Sequence, residues 1–207
     1  ITMYKAIIFD IDGVLLDSLD ANTRFFQDVL ASFGYQRPTQ DEIKEVFHLT
    51  MLDSIRHFAV NASKNDVVRM WRAAQEMQYP IELIKVPIDA VDAIRLLQKD
   101  YKLALVTSRV KRGVEIFFKA FAMKDAFTGV ACYEDTDKHK PDPAPIIFVL
   151  EKLHVLPHEA LYVGDAQTDL AAGHAAGMKV AIYKNLEVKD ADYHVSSFNE
   201  LVSLVKM

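Results

Sequence analysis

The stretch Lys5-Ala-Ile-Ile-Phe9-Asp10-Ile-Asp12-Gly13 decides how the rest of the chain is read. Ala6 to Phe9 are apolar at consecutive rather than alternate positions, the pattern of a strand covered on both faces in a parallel sheet. The run, taken as 5–9, passes straight into two carboxylates and a glycine turn. Carboxylates at the mouth of an apolar strand are costly to desolvate unless a cation or hydrogen bonds meet them. Runs of the same kind recur at 103–106, 130–132, 161–163 and 180–183, with a weaker sixth at 193–195. Helical patterns at 90–99, 114–121, 145–153 and 168–176 lie between them. This alternation predicts an α/β fold, a doubly wound, Rossmann-like core with a mostly parallel sheet.

The stretch 18–86 breaks the alternation, offering helices and no strand. Ser18 is placed to cap a helix running to about Phe33 and stopping at Gly34. Thr39 and Glu42 have capping-box spacing, a third helix is expected over 53–60, and Ser63 is placed to cap a long fourth. Pro80 should end or kink that one. A connection of this length with its own apolar faces reads as an inserted all-α cap subdomain. The expected division is therefore 1–17 and 87–207 for the core and 18–86 for the helical cap.

Across 207 residues the formal charge is −5, with 51% hydrophobic and 26% charged residues, which describes an ordinary globular chain. Mild acidity argues against nucleic acid as partner, since backbone phosphates call for a concentrated basic face. No apolar run approaches the roughly 18 residues that a membrane span requires, so no membrane partner is expected. The single cysteine, Cys132, excludes an intrachain disulfide framework and reads as a small buried hydrophobe. A cytoplasmic protein, monomer or homodimer, is expected. Ile1 and Thr2 ahead of Met3 read as residues added before a natural start.

In an open α/β sheet, reactive groups gather beyond the C-terminal ends of the strands. The first strand is followed by Asp10 and Asp12. The second is followed by Thr107-Ser108-Arg109, a hydroxyl and exposed N–H groups at a turn suited to an anion. Beyond the third comes Lys138-His-Lys140-Pro-Asp142-Pro143, whose proline-fixed backbone can aim one cation. The fourth leads into Gly164-Asp165-Ala-Gln-Thr-Asp169, two carboxylates one helical turn apart. Each is weak alone. In this order at four strand ends they form the set that Mg²⁺-assisted phosphoryl transfer to a carboxylate requires.

The segments Phe9-Asp-Ile-Asp-Gly-Val-Leu-Leu-Asp-Ser18, Leu105-Val-Thr107, Lys140-Pro-Asp142 and Gly164-Asp-Ala-Gln-Thr-Asp169 resemble the four ordered motifs of the haloacid dehalogenase-like superfamily of phosphohydrolases. The helical insertion after the first motif resembles the small cap of its phosphoglycolate phosphatase and β-phosphoglucomutase branch. The resemblance implies Asp10 as nucleophile, forming an aspartyl-phosphate, and Asp12 as acid and then base. It implies that Thr107 and the N–H of Ser108 hold the phosphoryl oxygens, with Lys140 neutralising charge. Mg²⁺ would be held by Asp10, the backbone carbonyl of Asp12 and Asp165, with Asp169 orienting the site from just outside those ligands.

By the same resemblance, Asp12 favours phosphate chemistry over dehalogenation. A mutase cap should supply an extra cation and a proton-transferring histidine, whereas Asn22 and Met51 stand at the matching positions. The expected activity is a phosphatase acting on a small phosphorylated, phosphoglycolate-like metabolite. A β-phosphoglucomutase-type mutase, a receiver-type phosphoacceptor and a non-catalytic binding module are the alternatives. His48, where relatives usually have glycine, and Arg109 are further candidates to touch substrate. Lys111 and Arg112 read as a solvated basic face beside Arg109.

Overall fold

The computed structural model describes residues 4–206; Met207 and Ile1 to Met3 lie outside the described residues, and with them the reading of Ile1 and Thr2 as added. Six strands pair in parallel throughout: β1 (Ala6–Phe9), β2 (Lys102–Val106), β3 (Phe127–Ala131), β4 (Ala160–Gly164), β5 (Lys179–Tyr183) and β6 (Tyr193–Val195). Their order is β3-β2-β1-β4-β5-β6, so the winding reverses at the β1–β4 junction in the middle of the sheet. All the expected strands are present. β3 differs most, since exposed Thr128 and then Gly129 interrupt the apolar run that marks the others. Its first residue, Phe127, is fixed by rings of Phe9, Phe117 and Phe121. Cys132 lies beyond its end and precedes a 3-10 turn.

Alternation along the strands sends Ala6, Ile8, Val106, Tyr162 and Ile182 to one face, where Ile146, Val149 and Leu170 pack on them from α7 (Ala144–Leu153) and α8 (Gln167–Ala175). Phe9 points to the other face and stacks on Phe198 of α9 (Phe198–Lys206) at 6.4 Å. Phe117 and Phe121 reach Phe127 from α6 (Lys111–Phe121), and α5 (Ala90–Leu97) packs beside α9. The α9 helix was not among the expected elements, although Phe198, Leu201 and Val205 mark its buried face.

By its contacts the chain divides into two units, one holding the residues up to Leu16 and from Val86 onward, the other Asp17–Lys85. The second unit contains α1 (Leu19–Ser32), α2 (Gln40–Glu45), α3 (Met51–Phe58) and α4 (Lys64–Glu76). Local capping sets their starts: Glu42 N donates to Thr39 Oγ1 while Glu42 accepts from Thr39 N, and Ser63 accepts from Asp66 N. Thr50 accepts from Asp53 N and so begins α3 two residues before 53. Ser18 precedes α1 but makes no capping bond; it is fully buried and its Oγ faces Asn22 Nδ2 at 3.4 Å. The α4 helix ends at Glu76, ahead of Pro80. A single core joins the four helices through Phe25, Leu30, Ile43, Ile55 and Met70. Asp17 and Lys85 exchange backbone hydrogen bonds where the chain enters and leaves this unit.

Leu30 is fully buried in that core. Leu30→Ala should therefore lower the unfolding free energy by about 3 kcal/mol in a urea titration. A loss below about 1 kcal/mol would show that the four helices do not share a tightly packed interior.

Candidate active site

Asp10 leaves β1 with its N–H bonded to the carbonyl of Val163 on β4, which holds the two central strands in register to their ends. Its Oδ1 accepts from Ile11 N at 2.8 Å and its Oδ2 faces Lys140 Nζ at 2.9 Å. Lys140 comes from the loop between β3 and α7, and its side chain is 4% exposed. The same ammonium donates to Asp169 Oδ1 at 2.6 Å. Asp169 also accepts from Tyr162 OH and from the backbone N–H groups of Asp165 and Ala166. Four donors thus fill its carboxylate and fix the first turn of α8.

Burial drives the electrostatics. It pushes the Asp10 carboxyl up to about 7, against the pull of Lys140, with Asp169 and Asp12 adding to the rise. Asp165 is raised well above the carboxylate range by burial, then by Asp169 and Asp10. For Lys140 burial works toward neutrality, but Asp10 and Asp169 outweigh it and hold the ammonium charged. Carboxylate oxygens of Asp10, Asp165 and Asp169 lie within 4.8 Å of one another. A set of hard oxygen donors under mutual repulsion suits a small divalent cation such as Mg²⁺. Since Asp169 is saturated by donors, Asp10 and Asp165 are the carboxylates able to hold one.

The turn after β1 is tied by Gly13 N to Leu16 O at 2.8 Å. Gly13 has φ +79°, and a Cβ there would lie 2.0 Å from Asp165 Oδ2, so only glycine lets the two strand ends approach this closely. At the end of β2, Thr107 is buried and its Oγ1 accepts from Arg109 N at 3.2 Å, while Ser108 is half-buried in the same turn. Arg109 grips Asp12: Nε reaches Oδ2 and Nη2 reaches Oδ1, each at 2.6 Å. Lys111 and Arg112 are exposed, unlike Arg109.

The sheet unit therefore brings together Asp10, Lys140, Asp165 and Asp169, and pairs Asp12 with Arg109. Three contributors were not read from the sequence. Tyr162 holds Asp169, Asn185 Nδ2 donates to the Asp165 carbonyl at 2.8 Å, and Arg109 takes Asp12 as its partner. His48 belongs to the helical unit, in an exposed turn between α2 and α3. In that unit Asn22 Oδ1 accepts from Tyr79 OH at 2.7 Å, and Met51 packs against the helical core. Cys132 is buried and its thiol is pushed up to about 12, chiefly by burial and then by Asp135, which leaves it protonated and inert.

The model of the family described as haloacid dehalogenase-like hydrolase matches residues 7–183. The pyrophosphatase PpaX of Bacillus pumilus is 27% identical over 178 residues, covering 86% of this chain and 82% of that protein. The phosphoglycolate phosphatase of Haemophilus influenzae is 25% identical, covering 99% of each. Among solved structures, a haloacid dehalogenase superfamily hydrolase, subfamily IA, variant 1, from Geobacter sulfurreducens superposes with a TM-score of 0.76 at 26% identity, covering 99% of this chain and 97% of that one. With the family model spanning Asp10, Asp12, Lys140, Asp165 and Asp169, the chain belongs to the haloacid dehalogenase-like hydrolase family and is a phosphatase of it.

Proposed function

We propose that the chain is a Mg²⁺-dependent cytoplasmic phosphatase of a small phosphorylated metabolite, phosphoglycolate-like, working through an aspartyl-phosphate on Asp10. The observation that carries this reading is the Asp10 carboxylate itself, pinned by Ile11 N on one oxygen and Lys140 on the other at the sheet's switch point. Attack by an Asp10 oxygen on phosphorus breaks the bond to the leaving oxygen, which takes a proton from Asp12. Water then attacks the phosphorus and gives its proton to Asp12. The bond to Asp10 breaks, and inorganic phosphate leaves with the carboxylate restored. In this reading the Thr107 hydroxyl and the N–H of Ser108 hold phosphoryl oxygens through both steps. Lys140, kept charged, offsets the negative charge that gathers beside Asp10. Mg²⁺, when held by Asp10, Asp165 and the Asp12 carbonyl, supplies electrostatic stabilisation of the transferring group. Support for a small substrate with an anionic remainder comes from the relatives' names, phosphoglycolate phosphatase and pyrophosphatase. Among the described residues no helix is long and apolar enough to cross a membrane.

Asp10→Asn should cut kcat on phosphoglycolate by at least about 10³-fold while the protein stays folded. Turnover surviving that substitution, or indifferent to a chelator, would remove the proposed chemistry.

The Asp10 shift carries a stability signature. Its folded value of about 7 lies above the ordinary 3.8, so the folded state binds the extra proton between those two values. Without metal, stability should fall as pH rises from about 4 to about 7 and stay at the lower level above that. Mg²⁺ competes with that proton, so it should raise Tm more at about pH 8 than at about pH 5 in a thermal scan. An equal shift at both pH values would place the cation away from Asp10.

A further inference from the structure

The Arg109–Asp12 pair is unusual for a group assigned to proton transfer, because both carboxylate oxygens are occupied. The guanidinium fork meets them at 2.6 Å on each arm, and the third nitrogen, Nη1, donates to the carbonyl of Gly113 at 3.3 Å. The pair is mostly buried, with side-chain exposures of 10% for Arg109 and 18% for Asp12. The seat is shaped for this arginine. Gly113 lies in the first turn of α6, and a Cβ on it would stand 3.1 Å from Arg109 Cβ and 3.4 Å from its Cγ and Cδ. Arg109 N is itself anchored on Thr107 Oγ1, so the residue that grips Asp12 is tied to the residue that faces the phosphoryl group.

We propose that Arg109 is a specificity-determining positioning residue: it latches Asp12 until a second oxyanion, on the leaving part of the substrate, takes over the guanidinium fork and frees Asp12 to act. The inference rests on the reading of Asp12 as the acid and base. An Asp12 gripped on both oxygens by the Arg109 fork is held to the guanidinium, and its carboxylate must turn from that fork to reach a leaving oxygen or a water. A bidentate guanidinium–carboxylate contact is matched only by another oxyanion of the same fork geometry, such as a carboxylate or a phosphate. A neutral alkyl leaving part offers no replacement, and releasing Asp12 for it leaves a mostly buried guanidinium without its carboxylate. The substrate class that follows is a phosphate ester or anhydride with an anionic group close to the scissile oxygen. Protonation matters most for alkoxide leaving groups, which cannot depart as free anions, so these read the latch directly.

The test compares phosphoglycolate with ethyl phosphate, and wild type with Arg109→Met. Wild type should favour phosphoglycolate by about 100-fold or more in kcat/KM. In Arg109→Met, kcat/KM on phosphoglycolate should fall by about 100-fold. The variant's kcat on ethyl phosphate should rise, because Asp12 is no longer held. Gly113→Ala, which crowds the arginine stem without removing the charge, should shift both substrates the same way by smaller factors. A parallel fall of kcat on both substrates would overturn the latch and make Arg109 a support that holds Asp12 in its working position. An unchanged kcat on ethyl phosphate would also overturn it and leave Arg109 a binder only. Calorimetry with phosphonoacetate and ethylphosphonate reads the fork without turnover: wild type should prefer phosphonoacetate, and Arg109→Met should lose that preference. A preference kept in the variant would overturn the proposal. Failure of the phosphatase reading shows separately, as wild-type turnover that does not depend on Asp10.

Discussion

One buried ammonium organises the site. Lys140 is almost wholly excluded from solvent and stands between Asp10 at 2.9 Å and Asp169 at 2.6 Å. A lysine in such a place keeps its charge only because two carboxylates face it, and those carboxylates tolerate each other's proximity largely because it is there. Removing one partner of a buried pair of this kind costs about 3–5 kcal/mol, more than most single contacts in a domain contribute. The ends of β1 and β4 and the loop after β3 are therefore bound to a common point. The sheet makes that possible, since β1 and β4 are hydrogen-bonded neighbours where the winding reverses.

Asp169 carries this order from the site into the core. It receives Lys140 from one side, Tyr162 from the middle of β4, and two backbone N–H groups that open α8. Tyr162 is fully buried, with its ring packed among the aliphatic side chains beneath α7 and α8. Displacing that ring would thus disturb the carboxylate that orients Lys140, although Tyr162 itself stands behind the reacting atoms. The positions of Asp10 and Asp165 follow from packing as much as from hydrogen bonding, and a fold with a looser β4–α8 contact would not hold its charges at these distances.

What the sequence makes legible follows from how local each signal is. Strands buried on both faces announce themselves as apolar runs; Asp10 and Thr107 follow directly after such runs, and Asp165 follows one glycine later. Thr39 and Ser63 cap helices three residues ahead of the N–H they accept, so their spacing suffices. Ser18 has the same residue type at the same kind of position, yet burial turns its hydroxyl toward Asn22 instead. The partners that went unread are distant or disguised. Arg109 meets Asp12 across 97 positions and Asn185 meets Asp165 across 20. Tyr162 reads as one more apolar residue of β4, and only the fold shows that its hydroxyl ends on Asp169.

The charge count at the strand ends closes the physical case. Asp10, Asp12, Asp165 and Asp169 bring four carboxylates, and Lys140 and Arg109 bring the two cations paired with them. With every group ionised, two negative charges are left over, and the rise of Asp10 and Asp165 is how the protein alone absorbs them, by favouring protons on those two residues. A single divalent cation would cancel the same excess while leaving both carboxylates ionised. With the excess cancelled and both carboxylates ionised, Lys140 would stand fixed beside a charged Asp10. A chain with a formal charge of −5 could thus receive an anion, because its own acids suit the cation that would offset that anion.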